Sequence, residues 1–280
     1  MRRVRKIVLI IVGAALLLYI ALVGGLFLFQ RSLLYPMPAT VPQRPAGFDD
    51  VRIETGDGLK LRAFYRPAKP GLPTLLFFHG NGSDIEGSIY ATRFLVAQGY
   101  GVLLPEYRGY GGNPGAPSEQ GLYRDGEASL AWLGAKGIAA DRIVVIGNSL
   151  GSGPATDIAA RHRIGGLVLV SGFASLVRVA GEQYPFAPTN LLLLDRYNNV
   201  AKFSAISCPI LLLQGTADTL VPIAHARALA EANPSAKLEL VPGVGHELAF
   251  RDVSQTMILT WLRSGAPRFE GRTLTASVGM

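Results

Sequence analysis

Five residues constrain this chain more than any others: Gly147-Asn148-Ser149-Leu150-Gly151, a G-x-S-x-G pattern. Before it runs Arg142-Ile143-Val144-Val145-Ile146, a short apolar stretch rich in β-branched residues, which predicts a strand. After it, residues 152–161 read as a helix. A strand that becomes a helix within so few residues leaves no room for side chains beside the turn, so the two glycines have a steric role. The serine oxygen is held out past the strand end, with a helix N-terminus behind it that favours negative charge. In a chain with 33 glycines the pattern alone can arise by chance. The flanking strand and helix make Ser149 a candidate nucleophile, against the plainer reading of a serine at an ordinary strand-to-helix turn.

A serine hydroxyl is a weak nucleophile at neutral pH. It needs a histidine base, and the base needs a carboxylate to fix its tautomer and stabilise its charged form. Where the nucleophile sits on such a turn, the acid and then the histidine follow later in the chain. The four histidines are His79, His162, His225 and His246. His246 stands in the glycine-rich Val241-Pro242-Gly243-Val244-Gly245-His246-Glu247, just past the strand-like 237–241, where an α/β sheet places its site. His225 sits within a helical pattern and reads as a packing or surface residue. His162 reads as a solvated helix-end residue between Arg161 and Arg163. The acid is expected at Asp218, in the loop that follows the buried-strand pattern 209–214. Its rivals are Asp195, read as part of a charged helix face, and Asp252, read as a local ion pair with Arg251.

An acyl-transfer site also needs donors for the oxyanion. Thr74 to Phe78 is a strand candidate that runs into His79-Gly80-Asn81-Gly82. The backbone N–H groups of Asn81 and Leu150 are the expected oxyanion-hole donors. His79 comes too early in the chain for the base and has no second ligand at a metal spacing, so its expected task is to hold this loop.

Further segments extend the pattern: Glu106-Tyr107-Arg108-Gly109-Tyr110-Gly111, Ser118 to Asp125, Gln214-Gly215-Thr216-Ala217-Asp218 with Val221-Pro222, and Gly243 to His246. With these in place the chain resembles the α/β-hydrolase superfamily. More narrowly, it is similar to the membrane-anchored α/β-hydrolase-domain serine hydrolases, a group that includes protein depalmitoylases and lipid esterases. The matching segments are spread through most of residues 47–262. The resemblance implies the α/β-hydrolase fold and a Ser149–His246–Asp218 triad. It departs at Asn148, where such proteins often carry a charged residue or glutamine.

The ends of the chain carry a different signal. Met1-Arg2-Arg3-Val4-Arg5-Lys6 holds four cations and no acid, and the 23 residues Ile7 to Phe29 carry no charged side chain. As a helix that run is about 34 Å long, enough for a hydrocarbon core of about 30 Å. It is longer than the apolar core of a cleaved signal peptide, so an uncleaved signal anchor is expected, with residues 1–6 cytoplasmic and the catalytic domain extracytoplasmic. Much of the formal net charge of +7 is therefore a topology signal, and no basic face calls for nucleic acid. A single cysteine, Cys208, cannot form an internal disulfide and reads as a small buried residue.

Between the ends, residues 30–46 contain four prolines and are expected to act as a linker that lifts the domain off the membrane. Residues 51–54 and 59–65 alternate apolar and polar around a turn, which predicts a hairpin. From Thr74 onward, strand candidates at 74–78, 101–105, 142–147, 166–171, 209–214 and 237–241 alternate with helical patterns near 86–98, 119–136, 150–162, 222–232 and 249–263. This is an α/β pattern with a mainly parallel sheet covered on both faces, in one domain over 47–264. Residues 171–208 are expected to form a small apolar cap over the acyl pocket, and 265–280 a flexible tail.

The expected reaction is hydrolysis of a carboxylic ester or thioester through an acyl-enzyme, on a lipophilic small molecule or an acylated peptide at the membrane. It needs no metal or organic cofactor. The alternatives are an acyltransferase using the same triad and a non-catalytic binding protein on the same fold. No candidate catalytic residue lies in residues 1–30, so the anchor is expected to be dispensable for the site.

Overall fold

In the computed structural model, which describes residues 1–37 and 41–265, the chain opens with one helix, α1 (Arg2–Leu34). It is the one helix among the described residues that is long and apolar enough to cross a membrane. It outruns the uncharged stretch at both ends and stops at Tyr35, where the following Pro36 disfavours helical backbone.

The remaining elements are β1 (Asp49–Glu54), β2 (Lys60–Arg66), β3 (Thr74–Phe78), α2 (Ile85–Ala97), β4 (Gly101–Pro105), α3 (Glu119–Ala135), β5 (Ile143–Asn148) and α4 (Ser152–Arg161). They are followed by β6 (Gly166–Val170), α5 (Leu176–Gln183), α6 (Thr189–Leu192), α7 (Asn199–Phe203), β7 (Ile210–Gly215), α8 (Ile223–Ala232), β8 (Lys237–Val241) and α9 (Asp252–Arg263). Helices α2 and α3 begin where the Asp84 and Ser118 side chains accept the Gly87 and Gly121 backbone N–H groups.

The strands form one eight-stranded sheet in the order β1-β2-β4-β3-β5-β6-β7-β8. β1 and β2 pair antiparallel, as do β2 and β4, and every other pairing is parallel. The five central strands are buried on both faces, which is why they read as unbroken apolar runs. On β5, Ile143 and Val145 face one half of the core with α3, α4 and α8, while Val144 and Ile146 face the other half with α2 and α9. This is the expected α/β-hydrolase architecture. From β3 the chain crosses to β4 on one side, and from β5 to β6 on the other. The carboxyl ends of β3 and β5 therefore flank a topological switch point, where such sheets open a crevice.

Two local expectations need correction. Residues 30–46, expected as a free linker that lifts the domain off the membrane, are instead fastened to the domain at several points. Tyr35 is buried with its hydroxyl 2.9 Å from that of Tyr197, Pro42 accepts from the Arg62 side chain, and the Gln43 N–H donates to Glu86 at 3.2 Å. Prolines stiffen a chain but do not keep it in solvent, and the Tyr35 ring gains more by burial. The helix expected from 249 begins at Asp252, because residues 246–250 form a tighter 3-10 turn. The expected tail lies outside the described residues from 266 onward.

Candidate active site

Ser149 has φ of +49°, a left-handed conformation that is uncommon and strained for a residue with a side chain. Its neighbours explain how it is held. A Cβ on Gly147 would lie 2.5 Å from the Gly151 carbonyl, and a Cβ on Gly151 would collide with the Phe78 carbonyl at the end of β3. The elbow is thus clamped between β3 and α4.

The Ser149 Oγ–H donates to His246 Nε2 at 2.9 Å, and His246 Nδ1–H donates to Asp218 Oδ2 at 2.8 Å. The carboxylate on one ring nitrogen sets the tautomer that leaves the other free to accept from the serine. Asp218 Oδ1 also accepts the N–H groups of Leu220 at 3.0 Å and Val221 at 2.8 Å. Burial opposes the charge on Asp218. The hydrogen bonds from His246, the Val221 N–H and Gln214 outweigh it and hold the carboxyl below the usual carboxylate range. The sheet register brings these loops together, since Phe78 pairs with Gly147 and Gly215 with Val241.

Asn81 and Leu150 border the same cavity as Ser149 and His246. The loop that carries Asn81 is pressed against the elbow, for a Cβ on Gly80 would stand 3.4 Å from Ser149 Cβ. His79 orders this loop. Its Nδ1 lies 2.9 Å from the Gly80 carbonyl, its Nε2 2.9 Å from Glu106 Oε1, and its own carbonyl accepts from the Tyr107 hydroxyl at 2.8 Å. Asn148 is buried beside Gly80, and its Oδ1 has no hydrogen-bond partner among the described residues.

The rival residues lie elsewhere. Asp195 is not on a helix; it is buried between α6 and α7, where it accepts Arg31 Nε at 3.1 Å and the Glu119 N–H at 2.9 Å. Asp252 pairs with Arg93, while Arg251 pairs with Glu247 at 2.7 Å. His162 meets Glu127 at 2.8 Å, and His225 is fully buried under α5. Burial pushes the Cys208 thiol up to about 12, which keeps it un-ionised.

Above Ser149 opens a cavity of about 840 Å³. One wall comes from the segment between β6 and β7, with Leu176 and Val179 of α5 and Leu192 of α6. The other comes from α1, with Val23, Phe27 and Gln30. Residues 1–30, expected to be dispensable for the site, thus contribute to its cavity wall. No triad candidate lies there, but pocket-lining side chains do.

Residues 73–193 match the α/β-hydrolase fold family, and residues 195–272 match a family described as TAP-like protein. The chain belongs to the α/β-hydrolase superfamily. An uncharacterized protein of Mycobacterium tuberculosis is 39% identical over 226 residues, 78% of this chain and 80% of that one. The alpha/beta hydrolase domain-containing protein aho-3 of Caenorhabditis elegans is 35% identical over 187 residues, 65% of this chain and 54% of that protein. Among solved structures, an esterase of Pyrococcus furiosus aligns with a TM-score of 0.66 at 23% identity, covering 81% of this chain and 98% of its own. An alpha-beta hydrolase of Vibrio vulnificus aligns with a TM-score of 0.67 at 23% identity, covering 77% and 81%.

In this α/β-hydrolase two contributions escaped the reading of the sequence. Gln214, the penultimate residue of β7, donates to Asp218 Oδ2 at 3.0 Å and to the Val221 carbonyl at 2.9 Å. A polar residue ending an otherwise apolar strand was the available signal. The α1 wall had none, because it depends on where a distant segment packs.

Proposed function

We propose that this chain is a membrane-anchored serine hydrolase that cleaves carboxylic esters or thioesters of lipophilic acyl groups. The observation that supports it most is the unbroken relay from Ser149 Oγ through His246 to Asp218 at the floor of a cavity with largely apolar walls. Ser149 Oγ attacks the acyl carbonyl carbon as His246 Nε2 takes its proton. The carbonyl oxygen becomes an oxyanion within reach of the Asn81 and Leu150 N–H groups, where loss of one donor typically costs about 3–4 kcal/mol. His246 then protonates the departing oxygen or sulfur, and the acyl group stays on Ser149. Water, deprotonated by the same ring, releases the acid and restores the serine. Asp218 holds the imidazole throughout. The helix α1 anchors the chain with its basic N-terminus in the cytoplasm and the hydrolase domain outside.

A fluorophosphonate probe tests the nucleophile. Labelling of the wild type at Ser149, with loss of both labelling and ester hydrolysis in Ser149→Ala, is the expected result. Hydrolysis that persists in a folded Ser149→Ala variant would rule the reading out.

A further inference from the structure

We infer that the C-terminal turns of α1 form the second wall of the acyl pocket and gauge the chain of a substrate that resides in the membrane. The inference rests on the serine-hydrolase reading above and deepens it. The substrate class is a single long acyl chain joined by an ester or thioester to a head group at the bilayer surface.

Three observations carry it. Val23, Leu26, Phe27, Gln30 and Leu34 recur at helical spacing on one face of α1, and all five line the cavity above Ser149. Leu28 and Phe29 turn away and are exposed.

The helix is also locked in register against the segment after α6. Gln30 is buried, donates to the Leu192 carbonyl at 3.3 Å, and accepts the Leu194 N–H at 2.8 Å. Arg31 Nε meets Asp195 at 3.1 Å, and the Tyr35 and Tyr197 hydroxyls lie 2.9 Å apart. Successive attachments over so short a stretch fix both the depth and the rotation of α1. Its pocket-facing side chains are therefore held at one level of the cavity wall.

The third observation concerns depth. The Tyr19 hydroxyl donates to the Phe186 carbonyl at 2.9 Å. Tyr19 precedes Phe29 by about 15 Å of helix, so the loop between α5 and α6 reaches well down beside the apolar span. Phe186 at that contact is 48% exposed, and Leu191 of the following α6 is 77% exposed. An apolar edge beside an apolar helix is matched to lipid and mismatched to water. The cleft between α1 and α5–α6 then opens at the level of the bilayer. An acyl chain can slide from lipid to Ser149 without crossing water, while its head group stays at the surface.

The test uses the full-length chain in vesicles. A long-chain alkyl fluorophosphonate with a photoreactive group at the end of its tail is attached to Ser149, irradiated and mapped. Crosslinks within Val23–Leu34 are expected, and crosslinks confined to α5 and α6 or to lipid would overturn the inference. In parallel, kcat/KM is measured for esters from butyryl to palmitoyl. Displacing two methylenes should lower the palmitoyl-to-butyryl ratio about fifteenfold in Phe27→Trp, at about fourfold for each methylene. Leu28→Trp, on the lipid side of α1, should keep the wild-type ratio. Equal ratios in the two variants would overturn the inference while leaving the hydrolase reading intact. Failure of the wild type to label at all would remove the hydrolase reading and this inference with it. Should Phe27→Trp not fold, as judged by lost labelling with a short fluorophosphonate, the wild-type crosslink decides. A monoacylglycerol and an S-acylated peptide, each carrying the same palmitoyl chain, distinguish a lipid ester from a lipidated peptide as the source of that chain.

Discussion

Gln214 Nε2 donates to Asp218 Oδ2 at 3.0 Å across the turn that leaves β7. The same oxygen accepts from His246, so one amide helps to hold the carboxylate that meets the candidate base. Gln214→Leu keeps the volume of the side chain and removes this donor. A hydrogen bond to a charged group is worth about 1.5–3 kcal/mol. The expected result is a fall in kcat of about tenfold or more with KM nearly unchanged, read from steady-state kinetics on one ester. An unchanged kcat would show that the Leu220 and Val221 N–H groups hold Asp218 unaided.

Asp218→Asn should cost on the order of 10⁴ in turnover, because an amide in that place favours the wrong imidazole tautomer. Asp252→Asn should leave turnover within an order of magnitude of wild type, since Asp252 pairs with Arg93 while the carboxylate on His246 Nδ1 is that of Asp218. Comparable losses in the two variants would displace Asp218 from its role.

The left-handed backbone at Ser149 predicts a trade between stability and activity. Glycine adopts positive φ without the penalty of a Cβ, so Ser149→Gly should be inactive and more stable by about 1 kcal/mol. A denaturant midpoint below that of the wild type would contradict this account of the elbow.

His225 links the α5 wall to pH. Its Nδ1 accepts the Ala174 N–H at 3.1 Å, and its Nε2–H donates to Glu182 of α5 at 2.9 Å. Burial holds the ring below its usual value; Glu182 and Asp218 oppose that shift and Arg178 adds to it. The unfolded chain therefore takes up a proton near pH 6.5 that the folded ring resists, so stability should fall as pH drops below about 6.5. Denaturant midpoints at neutral and mildly acid pH should differ more for the wild type than for His225→Gln. An equal difference would remove His225 as the cause.

The cations before Ile7 predict the orientation. In cells whose outer barrier has been opened, an added protease should digest the hydrolase domain and spare residues 1–6. Protection of the domain would place it on the cytoplasmic side.

Much of the fold could be read in advance because its central strands are buried on both faces. Such strands must be continuous apolar runs, and residues 74–78 and 101–105 match the observed β3 and β4. Ser149, Asp218 and His246 could be proposed because each stands at or shortly past the carboxyl end of a strand candidate, where a parallel sheet opens its site. Asp195 was misread because its neighbours suggested a helix, whereas its actual partners, Arg31 and Glu119, lie far away in the chain.

The sequence by itself determined the elements, their alternation, the elbow and the apolar span, since each is a property of neighbouring residues. Periodicity, glycine spacing and charge act over a few turns or strand lengths. Tertiary structure alone decided that Gln214 reaches Asp218, that Tyr35 is buried against Tyr197, and that α1 closes one side of the pocket. Those outcomes depend on which apolar surfaces meet after the chain has turned back on itself. An apolar helix face looks the same in sequence whether it meets lipid, a cap or an acyl chain. For Val23, Phe27 and Gln30 the choice was made by the latch at Leu192–Tyr197, more than 160 positions further along the chain.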